Sequence, residues 1–278
     1  MGICIVGIAM LLTFLATMTG GMLGVLALCR VEQITWKFLR LIAILGLSGF
    51  AATTAWALSG SFEGVAPWPT AAIGFSMAGF LAGCGVLVLA PLVEGKASWI
   101  RGCGAVGGAL GLAAAWCWGM SEGIWPTESA IAQVSTAGGL LLGGFLLGSV
   151  TLTWLLGHAY LTASAMTIAP LRRLSRLFIA AVATRSVFSL ACLTILWFGT
   201  ANPRGEAIPP ALMGPILMIL VRVLVGLIVA GVFAYMVWDC ARLRSTQSAT
   251  GIAFFASLCV VIGELAGQYV IRATAFPM

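Results

Sequence analysis

A run of about 20 apolar residues is long enough to cross the hydrocarbon core of a bilayer as a helix. This chain has eight such runs, roughly 3–29, 41–60, 69–92, 102–121, 133–163, 176–199, 210–238 and 249–272. In lipid every backbone N–H and C=O must be satisfied internally, which leaves only helices or closed barrels. Barrel strands are short and alternate in polarity, whereas these runs are long and unbroken. The sequence therefore predicts an all-α, polytopic integral membrane protein with eight transmembrane helices. Only 8% of its residues are charged and 61% are hydrophobic, against about 25% charged in soluble domains. The connections, roughly 8 to 12 residues each, leave no room for a soluble domain between spans. Residues 1–278 thus form a single transmembrane domain.

Glycine patterning hints at an internal division. Gly20-Gly21-Met22-Leu23-Gly24 in the first run and Gly138-Gly139-Leu140-Leu141-Leu142-Gly143-Gly144 in the fifth are both followed by an apolar stretch and a basic connection. That permits halves 1–130 and 131–278, arranged as two four-helix bundles. Small residues let membrane helices approach closely, and 35 glycines fit such packing.

Charge gives orientation. Arg30, Lys37 and Arg40 lie in the first connection, Lys96 and Arg101 in the third (93–101), Arg172, Arg173 and Arg176 around the fifth (164–175), and Arg242 and Arg244 in the seventh. The even connections hold Glu63, Glu122, Glu128 and an Arg204–Glu206 couple. By the positive-inside rule the odd connections face the cytoplasm, with both termini outside, as expected for a bacterial inner membrane protein. The net charge of +6 is read as this signal, with no nucleic-acid partner. The first basic residue is Arg30, so the first run is read as a span and not as a cleaved signal.

Metal and haem chemistry is not expected within the chain. The cysteines at 4, 29, 84, 103, 117, 192, 240 and 259 form no CxxC pair, so neither an iron–sulfur cluster nor zinc is expected. One histidine, His158, excludes bis-histidine haem ligation.

Ionisable groups inside apolar runs are the strongest functional signal. An unpaired charge at the bilayer centre costs at least about 2.5–3.5 kcal/mol, so such groups face the bundle interior and pair. Arg185, Arg222 and Glu264 sit in the sixth, seventh and eighth runs, and adjacency of the last two makes Glu264–Arg222 the expected pair. Gln268 shares Glu264's helical face four residues on. His158, near the inner end of the fifth run, is placed to donate to a quinone carbonyl or relay a proton. Tyr160 lies about 200° round the helix from it and faces lipid or a neighbouring helix. Arg185, Arg222, Glu264, Gln268 and His158 are thus candidates for a quinone or proton site. Each has a structural alternative, an ion pair fixing register or an interfacial histidine. Arg172, Arg173 and Arg176 anchor the fifth connection or form a lipid or partner surface, with Pro170 stopping the fifth span.

The C-terminal run is the most specific stretch. Thr246-Gln247-Ser248-Ala249-Thr250-Gly251-Ile252 leads into Gly263-Glu264-Leu265-Ala266-Gly267-Gln268. It resembles the last helix of the membrane-anchor subunits of dimethyl sulfoxide and polysulfide reductases, where a Gly-Glu pair is commonly followed by arginine; here Gln268 departs from that pattern. The resemblance implies two four-helix bundles, exchange of electrons with quinone or quinol, and a partner iron–sulfur subunit. The expected function is a quinone-interacting subunit of a respiratory complex. A small-molecule transporter with a central polar site and a structural subunit are the rivals. Transporters break helices near the midplane, and here the prolines cluster at span ends.

Overall fold

The computed structural model describes residues 2–59, 68–121, 130–162, 167–198, 214–274 and 277. Among these no strand occurs. Helix α1 is Gly2–Leu28, α2 Trp36–Ser59, α3 Trp68–Leu89, α4 Val93–Ser121, α5 Ala130–Thr162, α6 Ala169–Phe198, α7 Ile216–Arg242 and α8 Thr246–Thr274. Seven stretches are long and apolar enough to cross a membrane, so the chain is a multi-pass membrane protein. One of the seven, Trp68–Ser121, runs through α3 and α4, which a 3₁₀ turn at Ala90–Leu92 separates.

The helices pack in a definite order. α1 lies against α2 and α4, and α3 against the same two; α5 lies against α6 and α8, and α7 against those. The two sets meet chiefly where α1 crosses α5. Burial agrees: 67% of the best window in α1 and in α5 is inside the protein, against 28–39% in the others. The crossing is this close because glycines leave its nearest point without side chains. A Cβ on Gly21 would run into the carbonyl of Gly144, and one on Gly148 into that of Gly21. The glycine runs of the first and fifth spans are therefore the two faces of one contact. Gly20 packs in the same way on Gly108 and Gly111 of α4.

Two connections differ from expectation. Residues 93–101, read as a loop, are the first turns of α4, bent at Lys96 (φ −127°, ψ 17°). Pro91, near the start of the 3₁₀ turn, replaces the loop, because proline suits a helical first turn. Pro170 likewise does not end the fifth span; it lies in the first turn of α6, which begins at Ala169. Arg172, Arg173 and Arg176 are therefore helical residues. Polarity marks where lipid ends, not where a helix ends.

The odd-numbered connections share one face. Arg173 Nη2 donates to the carbonyl of Leu28, the last residue of α1 (2.9 Å). Arg172 donates from Nε to Ala241 (3.2 Å) and from Nη2 to Arg242 (3.0 Å), the final carbonyls of α7. These carbonyls have no partner within their own helices and sit at the negative end of the dipole, so a guanidinium satisfies both demands. Arg101 and Glu32 add an exposed pair at 3.6 Å between α4 and the α1–α2 connection, worth little by itself. Arg176 stays exposed, its Nε on the carbonyl of Arg172.

Candidate functional site

The predicted site residues fall in two places. Arg185, Arg222, Glu264 and Gln268 come together where α5, α6, α7 and α8 converge. His158 lies elsewhere. Gly157 packs on Thr250, at the start of α8, while Glu264 is 14 residues further along that helix, roughly 21 Å at 1.5 Å per residue.

Glu264 is the hub of the first place. Arg185 holds it with two bonds, Nε to Oε1 and Nη2 to Oε2, both 3.2 Å. Arg222 Nη2 stands 2.8 Å from Oε1. The expected Glu264–Arg222 pair is present, and it is half of a triad. Arg222 is wholly buried, and Arg185 and Glu264 are 4% and 5% exposed. Oε1 thus serves both guanidiniums, Nε of Arg185 and Nη2 of Arg222. Arg185 also lies over the Phe188 ring, 5.6 Å from the centroid.

Local sequence explains the convergence. Gly226 of α7 meets Gly263 of α8, where a Cβ on the former would stand 2.6 Å from the latter's Cα. The two backbones can approach beside Glu264 only because both residues lack side chains. On α5, Gly143 clears the space that the carboxylate fills: a Cβ there would come within 3.0 Å of Oε2. Gly139, one turn before, faces Arg185 and Phe188. Residues Val221–Val229 of α7 form a π-helix, with Arg222 in its first turn. Such departures are frequent at functional sites.

Beside the triad is a cavity of about 40 Å³ lined by Thr17, Thr136, Gly143, Arg185, Glu264 and Gln268, among others. Thr136 is 1% exposed and its hydroxyl has no hydrogen-bond partner among the described residues. Gln268 faces the cavity, but its buried Oε1 also lacks a partner there. It does not extend the ionic network as a bonded member.

His158 is exposed on the last turns of α5, beside a cleft of about 660 Å³. Trp36, Phe38, Leu41 and Leu155 supply apolar wall; Glu32, Lys37 and Glu94 supply charge. Tyr160 points away, as expected, but into the protein and not to lipid: it is 8% exposed and its hydroxyl donates to the carbonyl of Thr167. No family model matches the chain, and no curated protein or solved structure does so.

Sequence reading missed three contributors: Arg185 as Glu264's bidentate partner, Thr136, and the Gly139/Gly143 pair. The glycines carried a usable signal. They lie four apart on one helical face, the spacing that admits a neighbouring helix or a bulky head group. No group of three or more metal-ligating side chains occurs among the described residues.

Proposed function

We propose that the chain is a quinone- or quinol-interacting subunit of a membrane redox complex, with the head group received in the cleft at His158. One observation carries the reading: the only histidine of the chain stands at an apolar-walled cleft of about 660 Å³, within the roughly 300–1,000 Å³ of small-molecule sites. A head group there has Trp36, Phe38 and Leu155 to pack on. His158 can donate to a carbonyl, and Glu32 and Glu94 can hand on protons as the ring is reduced. Electrons would come from or go to a partner carrying iron–sulfur centres, in keeping with the likeness of the C-terminal helix to reductase anchor subunits.

The reading includes eight passes in two bundles of four. A single helix of 54 residues would be roughly 80 Å long, far beyond a bilayer about 30 Å thick. Trp68–Ser121 is therefore read as two passes turning at Ala90–Leu92. The basic face tied together by Arg172 and Arg173 is read as cytoplasmic, in a bacterial inner membrane.

The transporter reading has one observation in its favour, the π segment that interrupts α7 at Arg222. The test is titration of a quinone analogue against purified wild-type and His158→Ala protein in one detergent. The variant should bind roughly two- to twelvefold more weakly, the worth of one good hydrogen bond, with assembly intact. Equal affinity removes the quinone reading of this cleft.

A further inference from the structure

Three arginines enter α6 together, and the structure gives them different tasks. Arg172 turns to the end of α7 and is engaged there by two bonds. Arg173 turns to the end of α1, and Arg176 follows it by three residues and is exposed. Arg173, Arg176 and Leu177 line an open cleft of about 320 Å³, within the range of small-molecule sites. Both guanidiniums at this cleft are tethered. Nη2 of Arg173 lies on the carbonyl of Leu28 (2.9 Å), and Nε of Arg176 on that of Arg172 (3.3 Å). A guanidinium has five N–H groups, so one bond apiece leaves most of each for another acceptor. Such forks take phosphate oxygens two at a time, and placing them beforehand lowers the cost of binding.

Charge around the cleft is one-sided. α6 has no carboxylate, α1 has no charged residue, and Arg30, two residues past Leu28, is exposed. Asp239, the only carboxylate of α7, is engaged by Arg242 at 2.7 Å. Arg176 stands three residues from Arg173 and four from Arg172, spacings at which like charges destabilise a helix. An anion in the cleft relieves that repulsion. Position selects its kind. Ala180, Ala183, Val187 and Leu190 lie within about 40° of Arg176 round α6, and all four are exposed. The arginines therefore stand at the head of an apolar stripe that faces lipid when the helix crosses a bilayer.

We propose that Arg173 and Arg176 form a binding site for the head group of an anionic phospholipid, with its phosphate on both guanidiniums and its acyl chains along this stripe of α6. Basic pockets between membrane helices bind such head groups. The site shares no residue with the His158 cleft and does not depend on its quinone reading.

The test uses the full chain purified in one detergent. Thermal unfolding is followed as phosphatidylglycerol or phosphatidylcholine is added to the micelles at equal mole fraction. Phosphatidylglycerol should raise the midpoint saturably, and phosphatidylcholine should not. Arg176→Gln should need roughly fivefold more phosphatidylglycerol for the half-maximal rise, the worth of one basic residue at an anionic surface. Arg40→Gln, which removes an exposed arginine of α2, should leave the titration unchanged. Native mass spectrometry should retain one phosphatidylglycerol per wild-type chain and lose it in Arg176→Gln. Equal response to the two lipids would overturn the proposal. So would equal weakening by Arg176→Gln and Arg40→Gln, which would reduce the effect to diffuse surface charge. Replacement of the lipid by soluble glycerol phosphate at the same concentration would overturn it as well, by showing a site for a free anion.

Discussion

Removal of charges from the triad should have unequal costs, and the structure sets the order. Glu264 is the only carboxylate facing Arg185 and Arg222 among the described residues. Glu264→Gln takes the shared carboxylate from both guanidiniums in a site 5% exposed or less. Removing one member of a buried pair costs about 3–5 kcal/mol, most of it the uncompensated charge left behind. The bonds themselves matter less, since hydrogen bonds between membrane helices average about 0.6 kcal/mol. Arg222→Gln leaves the bidentate Arg185–Glu264 pair intact and removes a guanidinium that reaches the carboxylate through Nη2 alone, 2.8 Å from Oε1. That loss should be about 1–2 kcal/mol. Arg185→Gln gives up both aligned bonds but leaves Glu264 with Arg222, and should fall between, at about 2–3 kcal/mol. Glu264→Gln with Arg222→Gln should cost less than the two singles summed, by about 1–3 kcal/mol. The assay is reversible unfolding of each purified variant in one detergent mixture. Losses additive within about 0.5 kcal/mol would show that the two groups do not interact. An Arg222→Gln loss as large as that of Glu264→Gln would refute the assignment of Glu264 as hub.

Other outcomes follow from the packing. Gly21→Ala should cost at least about 1–3 kcal/mol, because its Cβ meets the Gly144 carbonyl; Gly102→Ala, with nothing within 4 Å, should be neutral or stabilising by up to about 1 kcal/mol, and equal behaviour in thermal melts would disprove the crossing. Arg173→Ala should lower stability by about 1–3 kcal/mol through the lost cap on α1, with Arg173→Lys recovering part of it; an unchanged melt would show the cap to be idle. Burial pushes the Cys29 thiol up to about 12 against the opposing pull of Arg173. Only the thiolate reacts, so Cys29 should resist maleimide at pH 8 until the protein is denatured, as mass spectrometry of the labelled peptide would reveal. Impermeant labels at positions 96 and 128 should report opposite membrane sides, and labelling from the same side would sink the proposed topology.

Much of this architecture was legible in the sequence because lipid imposes a strong, simple constraint. Long apolar runs must be helical, and an arginine and a glutamate in neighbouring runs must find each other, as Arg222 and Glu264 do. The misses share a cause. Hydropathy responds to lipid contact, so α4 and α6 begin several residues earlier than their apolar stretches, and Arg172 and Arg173 turned out to be helix caps. Arg185's bonds to Glu264 depend on α6 and α8 both packing on α5, a tertiary fact with no local signature. Gly143 and Thr136 looked like ordinary membrane-helix residues, since what distinguishes them is only what stands opposite. Position 158 was legible as a singular residue, but its cleft is assembled from the α1–α2 connection, the start of α4 and the end of α5.

The contact between α1 and α5 has a mechanical consequence. Interdigitated side chains act as teeth: sliding one helix along another means lifting each knob from its hole. At Gly21, Gly144 and Gly148 there are no teeth. Backbone bears on backbone at that point. On either side Phe14 clusters with Leu146, Leu147 and Val150, and Leu23 and Leu26 with Leu152, Leu155 and Leu156. The bare contact sets how close the helices come, and the flanking side chains hold their angle. At one end of the molecule Arg172 and Arg173, adjacent on α6, strap the ends of α7 and α1 together. The two sets of helices are thus held twice, at the bare crossing and at the strapped end, and the meeting place of Arg185, Arg222 and Glu264 lies away from that strap.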